Sequence, residues 1–129
     1  MGGFGQREHA ISADLSQLRG ARQFAEAAAA DFGVDGEARH MVKLAMSEAV
    51  TNAIQHGSSS ASDVVRVEAV EEEGALVFYV SDEGPFRPMA SRGERAGGGR
   101  GLDFVRRLMD EMDVRPSREG TTLRFTKRP

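Results

Sequence analysis

Two runs rich in β-branched and aromatic residues, VVRVEAV from Val64 to Val70 and ALVFYVS from Ala75 to Ser81, are joined by the acidic turn EEEG. Together they commit the middle of the chain to an antiparallel hairpin. Upstream, His9 to Leu15 alternates as a short edge strand, and Ser16 or a neighbour caps a helix through the alanine-rich segment to about Phe32, where Gly33 stops it. VDGEARH then opens a longer helix that closes at Gly57. SSSASD reads as a loop. Downstream, Leu102, Val105, Leu108, Met109 and Met112 recur at helical spacing, and VRPS and TTLRFTK supply strands around a turn at Glu119 and Gly120. This order of elements predicts a two-layer α/β sandwich, a mostly antiparallel sheet with helices on one face.

The chain has 129 residues, enough for one core and too few for two ordinary domains. A net charge of -3 from interspersed residues gives no field for nucleic acid, so no direct nucleic-acid contact is expected. The absence of cysteine excludes thiol catalysis and thiolate zinc sites and fits a reducing cytoplasm. No apolar run reaches membrane-spanning length, and MGGFGQREHA lacks the core of a signal peptide.

The stretch MSEAVTNAIQHG raises a chemical question. On a helical wheel Val42, Ala45, Met46, Ala49 and Ala53 share the buried side, opposite Lys43, Ser47 and Thr51. Glu48, Asn52 and His56 run down the flank between these faces. Burying an unpartnered polar group costs roughly 2–7 kcal/mol, so either this flank reaches solvent or polar groups meet it, from the protein or from a ligand. In the second strand of the hairpin, Leu76, Phe78, Val80 and Asp82 share one face by alternation. Asp82 therefore extends a buried row, where a carboxylate accepts from an exocyclic amine and Gly84 allows a flat ring close to the backbone. Asp82 also suits a plain D-E-G-P turn. Finally, AGGGRGLDF runs glycines into a helix start, a place for phosphate beside Arg100, although glycines also make simple loops. The P-loop consensus, the dinucleotide fingerprint and the H-R-D kinase loop are all missing, and the only lysines are Lys43 and Lys127.

Taken in order, E-A-V-T-N-A-I-Q-H-G, V-S-D-E-G, G-R-G-L and G-T-T-L-R-F-T-K resemble the four boxes of the GHKL (Bergerat-fold) ATPases, and most closely those of bacterial anti-sigma factor serine kinases. The resemblance spans about Glu8 to Lys127, a single ATP-binding domain at 8–127, with a flexible N-terminus at 1–7 and an ATP lid at 83–99. It implies ATP as substrate and Mg²⁺ held by Asn52, with Glu48 as base or orienter for the attacking hydroxyl. It places the adenine amine on Asp82, the ring against Gly84, and Thr121 or Thr122 beside them. Gly99, Arg100, Gly101 and Leu102 would flank the phosphates. The implied partners are an anti-anti-sigma factor of STAS type, whose serine or threonine accepts the phosphoryl group, and a sigma factor; relatives of this kind form homodimers. His56 ends the first box but is read as a capping or packing group. Pro85 and Phe86 depart from the family's D-x-G-x-G, so a nucleotide-gated binding module without phosphotransfer stands as the alternative function. The ATPase half of a sensor histidine kinase fits less well, because no phosphoacceptor helix pair precedes the domain, and a scaffold that binds no nucleotide is the remaining reading.

Overall fold

A computed structural model describes residues 4–57, 63–82, 102–117 and 120–128. Its five strands form one sheet, β1 (Arg7–Ser12), β2 (Val64–Glu72), β3 (Ala75–Asp82), β4 (Glu111–Ser117) and β5 (Gly120–Lys127), in the order β1-β2-β3-β5-β4. Every pairing is antiparallel. Helix α1 (Leu18–Phe32) packs over β1 and β2, and α2 (Gly36–Gly57) lies over β2, β3 and β5. Residues 102–108 form a third, short helical segment, α3. The two-layer sandwich expected from the order of elements is the fold observed. Among the described residues no helix is long and apolar enough to cross a membrane.

Each helix is set by local chemistry. Gly33 ends α1 in the left-handed conformation, φ 100°, and its amide donates to the carbonyls of Ala29 and Ala30. The Asp35 carboxylate caps α2 by accepting the Ala38 amide at 2.9 Å. The buried stripe of α1 is Ala21, Ala25, Ala28 and Ala29, small enough to bring its backbone close to α2. No residue of α2 from Met41 to Ile54 is fully exposed. Beneath it Phe78 and Phe125 stack with centroids 5.3 Å apart, and with Met46, Val42 and Val50 they form the centre of the core.

Several boundaries differ from the sequence reading, each for a physical reason. The cap before α1 is Asp14, whose carboxylate accepts the Ser16 amide at 2.9 Å over a 3-10 turn, Leu15–Gln17. Strand β1 starts at Arg7, because Arg7 pairs with Asp31 at 2.7 Å and covers the Phe4 ring, which packs edge-on against Phe32. Residues 4–7 are therefore held against the end of α1, and residues 1–3 of the N-terminal segment at 1–7 lie outside the described residues. The hairpin strands continue to Glu72↔Ala75, leaving Glu73 and Gly74, both at positive φ, as the turn. Segment α3 ends at 108, and Met112 belongs to β4, where it pairs with Phe125. An apolar residue with period 3.6 behind it and period 2 ahead of it satisfies both patterns, and the Asp110 amide settles the matter by donating to the Thr126 carbonyl.

Gly20 lies in the first turn of α1, and a methyl group added there would meet only the His9 Nε2 atom at 3.5 Å, an ordinary contact. Gly20→Ala is expected to raise stability by about 0.5–1 kcal/mol, because glycine costs helix entropy that alanine does not. A denaturant midpoint unchanged or lowered would contradict this.

The sheet face away from the helices carries an ionic network. Tyr79 donates to Glu72, Arg124 pairs with Glu72 at 2.8 Å, and Glu111 joins Arg124 to Arg128. The hydrogen bonds from Tyr79 and then Arg124 hold the Glu72 carboxyl below its ordinary value of 4.5. A depressed folded-state value stabilises above the unfolded value and is lost as pH falls through it. Glu72→Gln should therefore melt below the parent protein at neutral pH, by at most about 1 kcal/mol for so exposed a pair. Thermal melts from pH 7 to pH 3 should show the gap narrowing as pH falls below about 4.5; a gap of undiminished size at pH 3 would rule out the carboxylate's role.

Candidate functional site

The candidate site is a cleft between α2 and one end of the sheet, lined by Ala49, Asn52, Ala53, Val80, Asp82, Leu102, Val114, Thr121 and Leu123. Strand alternation and register place its sheet side. On the inner face Val80 lies opposite Leu123, which lies opposite Val114, so one apolar row crosses β3, β5 and β4. One step further along the strands stand Asp82 and Thr121, and the Thr121 amide donates to Asp82 Oδ1 at 3.2 Å. That bond fixes the carboxylate at the end of the cleft. Asp82 is only 8% exposed, and among the described residues the only other buried polar side chain is Thr126. From above, helical spacing brings Ala49, Asn52 and Ala53 onto the cleft.

Of the residues singled out from sequence, Asn52, Asp82, Thr121 and Leu102 line this one cleft, although they come from four separate segments. Leu102, expected beside phosphates, shares the cleft with Asp82. Thr122 does not belong: it points to the opposite face, where its hydroxyl lies 3.1 Å from that of Ser81. Alternation permits only one of two adjacent threonines to face α2. Glu48 stands half-buried one helical turn before Asn52 and is not among the lining residues. Gly84, Gly99, Arg100, Gly101, the lid at 83–99 and the departures Pro85 and Phe86 lie outside the described residues, as does the side chain of His56. The walls Ala49, Ala53, Val80, Leu123 and Val114 were read as core or strand and not as site. Val114 was invisible because the β4–β5 register that sets it beside Leu123 is not encoded in either strand alone.

The chemistry of the cleft is a carboxylate end, an amide side and apolar walls, which suits a flat amine-bearing ring with a polar tail. An antiparallel sheet below and α2 above hold this cleft between the two layers of the sandwich. Residues 11–127 match the histidine kinase-like ATPase domain. The anti-sigma F factor of Clostridium acetobutylicum is 35% identical over 97 residues, covering 67% of this chain and 68% of that protein. The anti-sigma F factor of Thermoanaerobacter pseudethanolicus is 31% identical over 96 residues, covering 67% of each. The chain belongs to the histidine kinase-like (GHKL) ATPase family, in its anti-sigma factor group. The fold agrees with the RsbU and RsbW domains of Rv1364c from Mycobacterium tuberculosis, at a TM-score of 0.74 and 23% identity over 96% of this chain. This chain spans about a third, 32%, of that one. Membership in an ATPase family makes ATP the ligand to fit to the cleft.

Proposed function

We propose that the protein is an ATP-dependent serine/threonine kinase and anti-sigma factor, which phosphorylates an anti-anti-sigma partner of STAS type and sequesters a sigma factor in the cytoplasm. The observation that carries this reading is the convergence of Asn52, Asp82, Thr121 and Leu102 on one cleft with Glu48 one turn away. The anti-sigma F factors at 31–35% identity support the partner assignment.

In this reading Asp82 accepts the adenine amine and Thr121 stands beside it. The tail would run toward Asn52, whose amide oxygen would supply one ligand to Mg²⁺. Among the described residues no three His, Asp or Glu side chains gather to hold a metal. Mg²⁺ takes few protein ligands and completes its octahedron with phosphate oxygens and water. Bound there, the ion would neutralise charge on the phosphates. The partner's hydroxyl oxygen bonds to the γ-phosphorus, the bond to the β–γ bridging oxygen breaks, ADP leaves, and the hydroxyl proton passes to Glu48. A homodimer belongs to the same proposal, through the resemblance alone.

A second reading is favoured by one specific observation. Glu48 does not line the cleft among the described residues, as a nucleotide-gated binding module without transfer would allow. Incubating the protein with γ-labelled ATP and candidate STAS-type partners separates the two. Label on a partner serine or threonine supports the kinase, whereas nucleotide binding without label supports the module.

A further inference from the structure

The sheet is two hairpins joined along one seam. Strands β2 and β3 form the first, with β1 on its outer edge, and β4 and β5 form the second; they meet where β3 pairs with β5, from Leu76↔Lys127 to Ser81↔Thr122. The carboxylate that ends the cleft stands at the extremity of this seam, since Asp82 is the last residue of β3 and Thr121 the second of β5. Two bonds cross the seam there, one on each face. On the inner face the Thr121 amide donates to Asp82 Oδ1 at 3.2 Å. On the outer face, one residue back along β3 and one on along β5, the half-buried hydroxyls of Ser81 and Thr122 lie 3.1 Å apart. Val65 pairs with Asp82 and Pro116 with Thr121, so each side is held by its own hairpin and the seam sets the gap between them.

Resting on the nucleotide reading above, we propose that the Ser81 and Thr122 hydroxyls form a clamp at the back of the sheet that sets where the Asp82 carboxylate stands. Through it they set how strictly the cleft selects an amine-bearing base over a carbonyl-bearing one. A hydroxyl bond between paired strands is directional, whereas apolar contact tolerates a slide. Without the clamp β5 shifts at its cleft end, the Thr121 amide moves away from Oδ1, and the carboxylate is free to turn. Ser81 and Thr122 are positioning residues: neither faces the cleft, and both act through Asp82. The next bond along the outer face, from Arg124 Nε to the Tyr79 hydroxyl at 3.3 Å, crosses the same seam two residues further from the cleft and does not reach Asp82.

Ser81→Ala, Thr122→Val and the double variant test this, beside two controls: Ser81→Thr, which keeps a hydroxyl, and Tyr79→Phe, which cuts the farther bond. In the free protein, exchange of the Thr121 amide proton should quicken about tenfold in the first three and stay parental in the controls. Calorimetric titration with Mg-ATP and Mg-ITP should show the preference for adenine over hypoxanthine falling about threefold to tenfold in each single variant. It should fall no further in the double variant, because the same one bond is lost in all three. Ser81→Thr should keep the preference, and Tyr79→Phe should melt earlier with the preference intact. Single variants with the parental preference would overturn the proposal, as would losses that add in the double variant or an equal loss in Tyr79→Phe. Binding of neither nucleotide by the parent protein would instead sink the nucleotide reading and base selection with it, while Thr121 exchange would still report on the clamp.

Discussion

Asp82→Asn is expected to weaken adenine nucleotide binding by roughly a hundredfold while leaving the fold intact, since a hydrogen bond to a charged group contributes up to about 3 kcal/mol. The substitution is nearly isosteric, and its consequence follows from the Thr121 amide, which donates to Asp82 Oδ1 at 3.2 Å. An asparagine must turn its carbonyl oxygen toward that amide to keep the donor paired, so its own NH₂ group faces the cleft. Two donors then oppose each other where a carboxylate had accepted the adenine amine. The same arrangement favours a base with a carbonyl at that position, so a hypoxanthine nucleotide should lose less than an adenine one. Unchanged adenine binding would mean that Asp82 does not read the base.

Glu48→Ala is expected to lower phosphoryl transfer by roughly 10²–10⁴-fold, the usual weight of a positioned general base. Nucleotide binding should stay near the parental value. The two effects separate because Glu48 stands off the cleft wall while Asn52, one turn later on the same flank, stands on it. In the kinase reading this half-buried carboxylate takes the proton of the partner's hydroxyl. Transfer at an undiminished rate would remove Glu48 from the mechanism and return the protein to the binding-module reading. Loss of binding together with transfer would make the residue structural.

Why Asp82 and Asn52 could be placed on the cleft from sequence, and others could not, comes down to the range of the signal. Asp82 announces itself locally, because strict alternation through Leu76, Phe78 and Val80 carries it inward, and its burial in the structure agrees. The flank of α2 is local too: period 3.6 alone separates Asn52 from Lys43 and Thr51. The choice between Thr121 and Thr122 is not local. Both sit in the same strand, and only the pairing of Ser81 with Thr122 decides which one faces the helices. Val114 depends on a second pairing, between β4 and β5, and its place in the site exists only once three strands are in register. Helix and strand periods also agree at Met112, so the end of α3 was misread until the Asp110 amide found its partner across the sheet. Composition likewise does not reveal that Arg7 reaches Asp31.

The central claim is that an adenine nucleotide occupies the cleft between α2 and the ends of β3, β5 and β4. Amide chemical-shift mapping on titration with Mg-ATP tests it most directly. The account expects the largest shifts at Ala49, Asn52, Ala53, Asp82, Val114 and Thr121, with little change at the hairpin tip around Glu73 and Gly74. Saturating nucleotide that left those amides unmoved, or shifted residues on the opposite sheet face instead, would contradict it.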